Sequence, residues 1–341
     1  MIVYFIRRFN LLVTTLFLLS LISFSLAHLF PGDAAINFSG QQSLTYQEYA
    51  KLTEELALNE SYFVQYIVYM QRVVQGDFGN SFSSDASVLD DFMRVFPASA
   101  ELSAYALILT AIVGLPLGLW AGVKRNSWID KVIFSSATIA NSIPIFWMGL
   151  LLMLLFSLNL AWLPISGRLN LLYEVPSDTG ILLIDIALSN LDNKYQIYQD
   201  ALRHLVLPTI TLAILPTTIL IGMMRSSVIN VMATPYIKAA KTKGLSTFQI
   251  IRKHVFRNAI LPIIPQFGLL FNTLMTSTMI TEFIFSWPGI GHWLIEAIYQ
   301  RDYPVIQAAL LLVSSFMVVI NVLSDIVHTL LNPLVRKEIN G

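Results

Sequence analysis

Six long apolar stretches determine what this chain can fold into. They lie at 9–30, 98–123, 132–158, 205–224, 259–285 and 305–331. Each reaches the about 20 residues that an α-helix needs to cross the hydrocarbon core of a bilayer. Charged residues make up only 12% of the chain, against about 25% in a typical soluble domain. The sequence therefore predicts an all-α integral membrane protein with six transmembrane helices.

The first apolar stretch could also be the core of a cleaved signal peptide. Arg7 and Arg8 precede it, and Ser25-Leu26-Ala27 could serve as a cleavage site. A signal-peptide core is usually about 7–15 apolar residues long, and this run is longer. We therefore expect a retained N-terminal helix.

The loops between the apolar stretches divide into a basic set and an acidic set. The segments before 9, between 123 and 132, at 225–258 and after 331 together contain 14 basic and 2 acidic side chains, a net charge of +12. The remaining loops, counted together with Glu101 at the outer end of the second span, contain 7 basic and 17 acidic side chains, a net charge of −10. An excess of Lys and Arg marks the cytoplasmic side of a membrane protein. The N and C termini are therefore both predicted to be cytoplasmic.

Two loops on the outer side follow from this arrangement, at 31–96 and 161–204. Residues 44–75 have apolar side chains at helical spacing, which favours short amphipathic helices on the outer face. The run Ile181–Ala187 is too short to cross the bilayer and contains Asp185. We therefore expect that run to remain part of the second outer loop.

The basic loop at 225–258 has the pattern of two short helices. It contains seven Lys and Arg side chains and no acidic residue. Thr234 followed by Pro235 is a typical helix start, and Gly244 suits the left-handed residue that ends a helix. Ser246 can begin a second helix that runs to about the end of the loop.

Two interpretations of this basic loop remain open from residue chemistry alone. A short helix between two membrane spans is more than a turn, which favours a structure that a partner in the cytosol holds. The basic charge could equally be only the topology signal, or it could rest on anionic lipid, because charge alone does not separate lipid contact from protein contact.

Three carboxylates fall within the predicted spans: Glu101, Glu282 and Asp325. A charged side chain is costly in hydrocarbon, so each should face a cavity or a partner. One interpretation is contact with a cationic substrate or a gate. The other is a structural ion pair, or a protonated acid that is hydrogen-bonded between helices. We favour a structural role for Glu282, and also for Asp325, which is close enough to the membrane surface to meet Arg225 or Arg7.

Prolines interrupt most of the spans. Each one removes a backbone hydrogen bond, and such breaks are tolerated where neighbouring helices or a water-filled cavity satisfy the freed carbonyl. Ordinary kinks and a role in a substrate pathway are both consistent with this pattern. The positions are Pro116, Pro144, Pro208, Pro216, Pro262 and Pro265.

Several chemistries find no support in the residues present. The chain has no cysteine, which removes disulfides, thiolate metal sites and a cysteine nucleophile. It has no P-loop of the form G-x-x-x-x-G-K-[ST], so it is not expected to bind ATP itself. Its five histidines lack metal-ligand spacing, and neither a nucleophile–base pair nor a basic-aromatic surface is evident. We therefore expect no enzyme activity, no metal and no nucleic-acid partner.

Several motifs together resemble one family of permeases. Ala239-Ala240, three residues and then Gly244, with Leu261-Pro262 further on, resemble the "EAA" loop of ABC-importer permeases, with Lys238 in place of the signature glutamate. Other blocks follow the order and spacing of the B-type subunits of dipeptide, oligopeptide and nickel permeases. They are Gly114–Gly118, Ser142–Trp147, Trp162–Gly167, Glu282–Gly291, and the group Asn321, Asp325 and Asn332-Pro333.

This resemblance implies a type I ABC-importer permease fold in the bacterial inner membrane. The implied division is an N-terminal transmembrane helix at 1–30, a periplasmic segment at 31–96, a permease core at 97–331 and a cytoplasmic tail at 332–341. The core would hold five transmembrane helices, the periplasmic loop 161–204 and the coupling loop 225–258.

The resemblance also implies partners and a coupling site. Tyr236, Ala239, Ala240, Gly244 and Leu245 would form a coupling helix that docks on separate ABC ATPase subunits. Those subunits would bind ATP and Mg²⁺, and this chain would hold no cofactor. A second (C-type) permease subunit, a periplasmic substrate-binding protein and membrane lipid complete the implied partners.

A narrower resemblance lies in the second outer loop. Residues 167–175, then Thr179-Gly180 and 183–185, resemble the Sap-type permease of Gram-negative bacteria. That subgroup implies transport of peptides, including cationic antimicrobial peptides and resistance to them, with putrescine export as an alternative. A secondary transporter that works without ATP is the alternative from another class. It would need coupling acids at the midplane and repeat symmetry, whereas this sequence offers one deep acid, Glu282, and no detectable repeat.

Overall fold

The computed structural model describes residues 2–39, 44–264 and 266–331. Within these ranges the regular structure is helical, apart from one isolated β-bridge between Asn80 and Ser87. The predicted cytoplasmic tail, 332–341, lies outside the described residues. The helices are α1 (Ile2–Leu29), α2 (Ala34–Ser39), α3 (Tyr46–Glu55), α4 (Tyr62–Val74), α5 (Val88–Val123), α6 (Trp128–Ser142), α7 (Ile145–Met153), α8 (Leu182–Leu188), α9 (Lys194–Met232), α10 (Pro235–Thr242), α11 (Thr247–Ile250), α12 (Phe256–Ala259), α13 (Gln266–Ile284), α14 (Ile290–Gln300) and α15 (Tyr303–Leu331).

Five helices of the described chain are long and apolar enough to cross a membrane: α1, α5, α9, α13 and α15. A sixth candidate is the stretch from α6 to α7, which passes the same test as a pair but is bent by 100°. The predicted six spans are thus present as five single helices and one bent pair.

The predicted span 132–158 is wrong as a single helix. α6 ends at Ser142, α7 begins at Ile145, and a π-helical turn, Leu154–Asn159, completes the pair. Pro144 has no N–H to donate, and Ile143 before it has extended backbone angles of φ −93° and ψ 126°. A residue before proline favours that conformation over the helical one, so the helix stops there.

Three other spans differ from their predicted bounds. α5 begins at Val88 and α9 at Lys194, both earlier than predicted, whereas α13 begins later, at Gln266. The additional turns of α9 are explained by packing, because Ile197 and Ala201 are buried against α8. α8 itself covers the short apolar run that was predicted to be loop. Burial against a neighbouring helix, and not contact with lipid, extends the helical structure here.

Two compact units make up the chain. One consists of Met1–Ala98 and Pro288–Leu323, and the other of Ser99–Trp287 and Ser324–Gly341. In the second unit α9 is the central helix, because α6, α7, α8, α12 and α13 all pack against it.

In the first unit an aromatic cluster joins α1 to the short helices that follow it. The ring of Phe24 contacts the rings of Phe38, Tyr66 and Tyr69 at centroid distances of 5.5–5.8 Å. Apolar side chains of α3 and α4 also pack against this cluster. The amphipathic helices predicted within residues 44–75 are therefore present as α3 and α4.

The motif Gly76-Asp77-Phe78-Gly79 forms the turn after α4. Asp77 accepts hydrogen bonds from the Arg72 side chain (2.6 Å) and the Gly79 N–H (3.0 Å). Burial raises the pKa of Asp77, but the two hydrogen bonds and the charge of Arg72 together lower it by more, so that the pKa lies below its ordinary value. The turn is thus held by an ionised carboxylate.

Candidate functional site

The helix pair predicted in the basic loop is present. α10 covers Pro235–Thr242, and Gly244 after it has φ +78°. The N–H groups of Gly244 and Leu245 donate to the carbonyls of Lys241 (3.0 Å) and Ala240 (3.4 Å). These two bonds form a Schellman motif, which satisfies the last carbonyls of α10. The left-handed conformation explains why glycine occupies this position.

The two helix starts in this loop differ from one another. At α11 a capping box is formed, because Ser246 accepts from the Gln249 N–H (3.3 Å) and the Gln249 side chain accepts from the Ser246 N–H (3.0 Å). At α10, Thr234 is the N-cap residue and Pro235 follows it as predicted, but the Thr234 hydroxyl donates to the Val231 carbonyl at 2.5 Å and does not cap α10. α9 ends at Met232, and its last carbonyls need donors, so they compete for this hydroxyl.

α10 has one exposed face and one buried face. Tyr236 keeps 44% of its surface exposed, and Ala239 and Gly244 are exposed as well. Ala240 is only 8% exposed and Leu245 is half-buried. The residues predicted for coupling therefore divide between a surface that a partner can reach and a contact with the membrane spans.

The buried face of α10 packs against the ends of two spans. Ile237 and Ala240 belong to one hydrophobic cluster with Met224 and Val228 of α9. The α5 side chains Leu115, Leu119 and Val123 pack against the same cluster. Because packed interiors are dense and transmit strain, a displacement of α10 acts directly on α5 and α9.

α5 approaches α9 along three glycines spaced four residues apart: Gly114, Gly118 and Gly122. A Cβ atom on Gly118 would lie 2.6 Å from the Met224 Cβ, and one on Gly122 would lie 2.6 Å from the Val228 Cβ. Small residues at this spacing let the backbones of two membrane helices approach closely. The spacing is visible in the sequence, and it is the signal that would have identified this contact.

A bidentate ion pair connects α9 to the start of α6. Arg225 donates from Nε and Nη2 to the two carboxylate oxygens of Asp130, at 2.6 and 2.9 Å. The Asn126 N–H donates to the same carboxylate, and the guanidinium lies 5.1 Å from the Phe134 ring centre. Asp130 is in the first turn of α6, where the helix dipole favours a negative charge. Arg225 thus pairs with Asp130. The predicted contact of Asp325 with Arg225 or Arg7 concerns a side chain outside the described residues.

Loss of this pair should cost measurable stability. We expect Arg225→Met to lower the free energy of unfolding by about 2 kcal/mol, because hydrogen bonds to charged groups contribute about 1.5–3 kcal/mol. The thermal unfolding midpoint of the purified protein measures the effect. Arg252→Met, at an exposed position of the same basic loop, is the control. Equal midpoints for the two variants would contradict a stabilising pair.

Glu282 lies in a polar contact between α5 and α13. It is completely buried, and the Ser99 hydroxyl donates to its Oε1 at 2.5 Å. One turn away, the hydroxyls of Ser103 and Thr278 are 3.2 Å apart. These contacts are those expected of a structural acid between helices. Asp325 belongs to α15, and its side chain lies outside the described residues.

Glu101 has a partner that sequence reasoning missed. Its carboxylate forms an ion pair with Arg168, from the loop between α7 and α8, and accepts from the Tyr105 hydroxyl (3.2 Å) and the Leu182 N–H (3.3 Å). Arg168 also donates to the Gly180 carbonyl at 2.7 Å. The two charges are 67 residues apart, and nothing in the sequence pairs them. The ion pair with Arg168 favours the structural interpretation of Glu101.

A cavity of about 510 Å³ lies between α5, α6 and α9. Its walls are mainly aliphatic, and the hydroxyls of Ser136, Thr217 and Thr218 are among its few polar groups. Such a lining suits an organic ligand or a packed helix. Among the residues that the structure describes, no group of three or more His, Cys, Asp or Glu side chains could hold a metal ion.

Comparison with known proteins gives one consistent family. The family "Binding-protein-dependent transport system inner membrane component" matches residues 114–337, and the corresponding N-terminal family matches residues 1–103. The di/tripeptide transport system permease protein DppB of Pseudomonas aeruginosa (strain UCBPP-PA14) is 40% identical over 332 residues, which is 97% of this chain and 98% of that protein. The putrescine export system permease protein SapB of Escherichia coli (strain K12) is 42% identical over 338 residues, 99% of this chain and 98% of that protein.

A solved structure supports the fold. The inward-facing MetNI methionine ABC transporter matches with a TM-score of 0.50, and the match covers 69% of this chain and 93% of that chain. At 14% identity the likeness concerns the fold alone, and it confirms the predicted type I ABC-importer permease fold.

Proposed function

Because this chain belongs to the family of binding-protein-dependent transport system inner membrane components, we propose that it moves peptides across the bacterial inner membrane as one permease of an ATP-driven complex. Its relatives over nearly the whole chain bear permease names, for di- and tripeptides in one case and for putrescine export in another. A second permease subunit, ATPase subunits with ATP and Mg²⁺, and a substrate-binding protein would complete the complex. The ATP-independent alternative has no support among these relatives.

The two-faced helix α10 is the observation that supports ATPase coupling. Its exposed side presents Tyr236, Lys238 and Ala239, and its buried side packs on α5 and α9. A helix that only marked topology would not need a buried attachment to two spans. We propose that the exposed side of α10 docks on an ATPase subunit. Closure of the ATPases would then move α10, and with it α5 and α9, so that the substrate pathway opens alternately to the two sides of the membrane.

Adjacent positions on α10 provide a direct test of docking. The chain has no cysteine, so single cysteines can be placed at Ala239, which is exposed, and at Ala240, which is buried. With each ATPase subunit bearing a cysteine in its surface groove, we expect Ala239→Cys to cross-link in the assembled complex and Ala240→Cys not to. Equal cross-linking at both positions, or none at Ala239 in an assembled complex, would exclude this face of α10 as the docking surface.

The left-handed turn at Gly244 should be needed for coupling. A side chain with a Cβ costs roughly 1–2 kcal/mol in this conformation, and the strain falls on the joint between α10 and α11. We expect Gly244→Val to lower ATP-dependent uptake at least fivefold, whereas Gly244→Asn should retain it because Asn tolerates the left-handed conformation. Uptake into proteoliposomes with ATP supplied to the ATPases measures this. A loss of uptake in both variants would mean that the added side chain, and not the left-handed backbone conformation, causes the defect.

Peptide is the substrate class that we favour, and cationic peptide in particular. The loops predicted to face outward, counted together with Glu101, have a net charge of −10, which attracts cations through its long-range field. Putrescine export is the second candidate because of the SapB relative. The buried acids Glu101 and Glu282 do not distinguish between peptide and putrescine as the substrate. Glu101 is paired with Arg168, and Glu282 contacts Ser99.

One assay can determine both the direction of transport and the substrate class. The assembled complex is reconstituted into vesicles, and uptake of a labelled lysine-containing tripeptide is compared with movement of labelled putrescine in both directions. Peptide uptake that needs ATP and is not inhibited by putrescine supports the peptide proposal. ATP-dependent putrescine movement without peptide transport overturns it in favour of polyamine export.

A further inference from the structure

A groove of about 560 Å³ lies between the end of α5 and the helices α10 and α11. It is within the size range of about 300–1,000 Å³ that small-molecule sites have. Its inner walls are aliphatic, and its rim is basic and aromatic. The wall residues are Leu119, Val123, Met232, Ile250 and Ile251, and the rim residues are Trp120, Lys124 and Lys241.

The two lysines of the rim are without an ion-pair partner in the part of the chain that the structure describes. Lys124 and Lys241 are both exposed. They come from different elements, the residue after α5 and the last turn of α10. Two ammonium groups that line one groove favour an anion there.

The chemistry of the groove changes along α5. Pro116, Trp120 and Lys124 follow one another at four-residue spacing and therefore share one face of the helix. Over these nine residues, about 12 Å of helix, the lining passes from apolar through an indole, 58% exposed, to an ammonium group. Tryptophan is enriched at the boundary between hydrocarbon and headgroups. This is the polarity gradient of a phospholipid.

We propose that this groove binds one anionic phospholipid, with the phosphate between Lys124 and Lys241 and an acyl chain along α5. A free phosphate would leave the apolar wall without a partner, and a zwitterionic lipid would bring its own cation to the two lysines. The bound lipid would bridge α5 to the α10–α11 pair. This site is additional to the proposed docking face of α10, because Lys241 faces the groove whereas Tyr236 and Ala239 do not line it.

Native mass spectrometry of the assembled complex tests the charge requirement. Phosphatidylglycerol and phosphatidylcholine with identical acyl chains are titrated separately into the detergent-solubilised complex. We expect one phosphatidylglycerol to bind preferentially, and Lys124→Gln/Lys241→Gln to weaken its binding by about 30-fold, which corresponds to about 2 kcal/mol at 1.4 kcal/mol per factor of ten. Lys243→Gln/Lys253→Gln removes the same amount of charge at exposed positions outside the groove and should change binding less than threefold.

A second variant tests the apolar part of the site without changing charge. Thr247 is exposed and lines the groove, so Thr247→Trp should fill it and displace the phosphatidylglycerol while the unfolding midpoint stays unchanged. Three results would overturn the proposal: retained binding in both the double-lysine and Thr247→Trp variants, displacement of the lipid by millimolar inorganic phosphate, or a cross-link from Trp120→Cys to another subunit. The last would identify the groove as a protein interface.

Discussion

We expect the Arg168→Met variant to be less stable than the parent protein by about 3–5 kcal/mol, because removing one partner of a buried ion pair leaves the other charge uncompensated. The Glu101 side chain is 1% exposed and that of Arg168 is 17% exposed. Arg168 also lies over the Trp287 ring, with the guanidinium carbon 5.6 Å from the ring centre. Its loss would therefore remove an ion pair, a hydrogen bond to Gly180 and a ring contact together.

Removing both charges separates the ion pair from the other contacts of Arg168. Glu101→Gln/Arg168→Met should recover more than half of the stability lost in Arg168→Met, since no buried charge is left alone. Arg203→Met is the matched control, because Arg203 is exposed and donates to the Trp162 carbonyl without contacting an acid. The unfolding midpoint of the assembled complex is the measurement. If Arg168→Met is no less stable than Arg203→Met, then the ion pair between Glu101 and Arg168 does not stabilise the fold.

The second large effect is expected at the glycine contact between α5 and α9. In Gly118→Val the new Cβ would lie 2.6 Å from the Met224 Cβ and 2.8 Å from the Ile221 carbonyl oxygen. The carbonyl belongs to a helix backbone and cannot rotate away, so the two spans must separate. We expect a loss of at least 3 kcal/mol, at the upper end of the about 1–3 kcal/mol typical of overpacking, and loss of ATP-dependent uptake.

Gly222→Val is the matched control for this contact. It makes the same substitution in the neighbouring span α9, and a Cβ atom there meets nothing within 4 Å. Its stability and uptake should both match those of the parent protein. If Gly118→Val and Gly222→Val behave alike, then the close approach of α5 and α9 is not required for folding or transport.

Local signals in the sequence were enough to predict the basic loop. Pro235, Gly244 and Ser246 specify their conformations through their own backbone and side-chain chemistry, and the structure has a helix start, a left-handed residue and a capping box there. The spans were also predictable, because about 20 apolar residues leave few alternatives in a bilayer. The predictions fail where a distant segment decides the outcome.

Three outcomes depend on such distant segments. The early start of α9 reflects burial of Ile197 against α8, and the burial of Ala240 depends on where the ends of α5 and α9 lie. The ion pair of Glu101 joins segments 67 residues apart. Hydropathy and spacing describe a residue's own element, and none of them indicates which element will pack against it.

The bend between α6 and α7, taken together with the charges of the loops, predicts how deep in the membrane the helix is interrupted. Both termini lie on the same side only if the number of crossings is even, and α1, α5, α9, α13 and α15 provide an odd number. If both termini are cytoplasmic, as the loop charges predict, the bent pair completes the parity by crossing once. Neither half can do so alone, because the 15 residues of α6 span about 22 Å and the hydrocarbon core is about 30 Å thick.

With both termini on the cytoplasmic side, the interruption at Ile143-Pro144 would lie at membrane depth and not at the surface. Non-helical backbone at that depth is tolerated only where protein or water covers it. Asn141, just before the interruption, already accepts a hydrogen bond from Thr218 of α9 at 3.4 Å. The predicted topology thus calls for protein or water to cover this interruption beside α9.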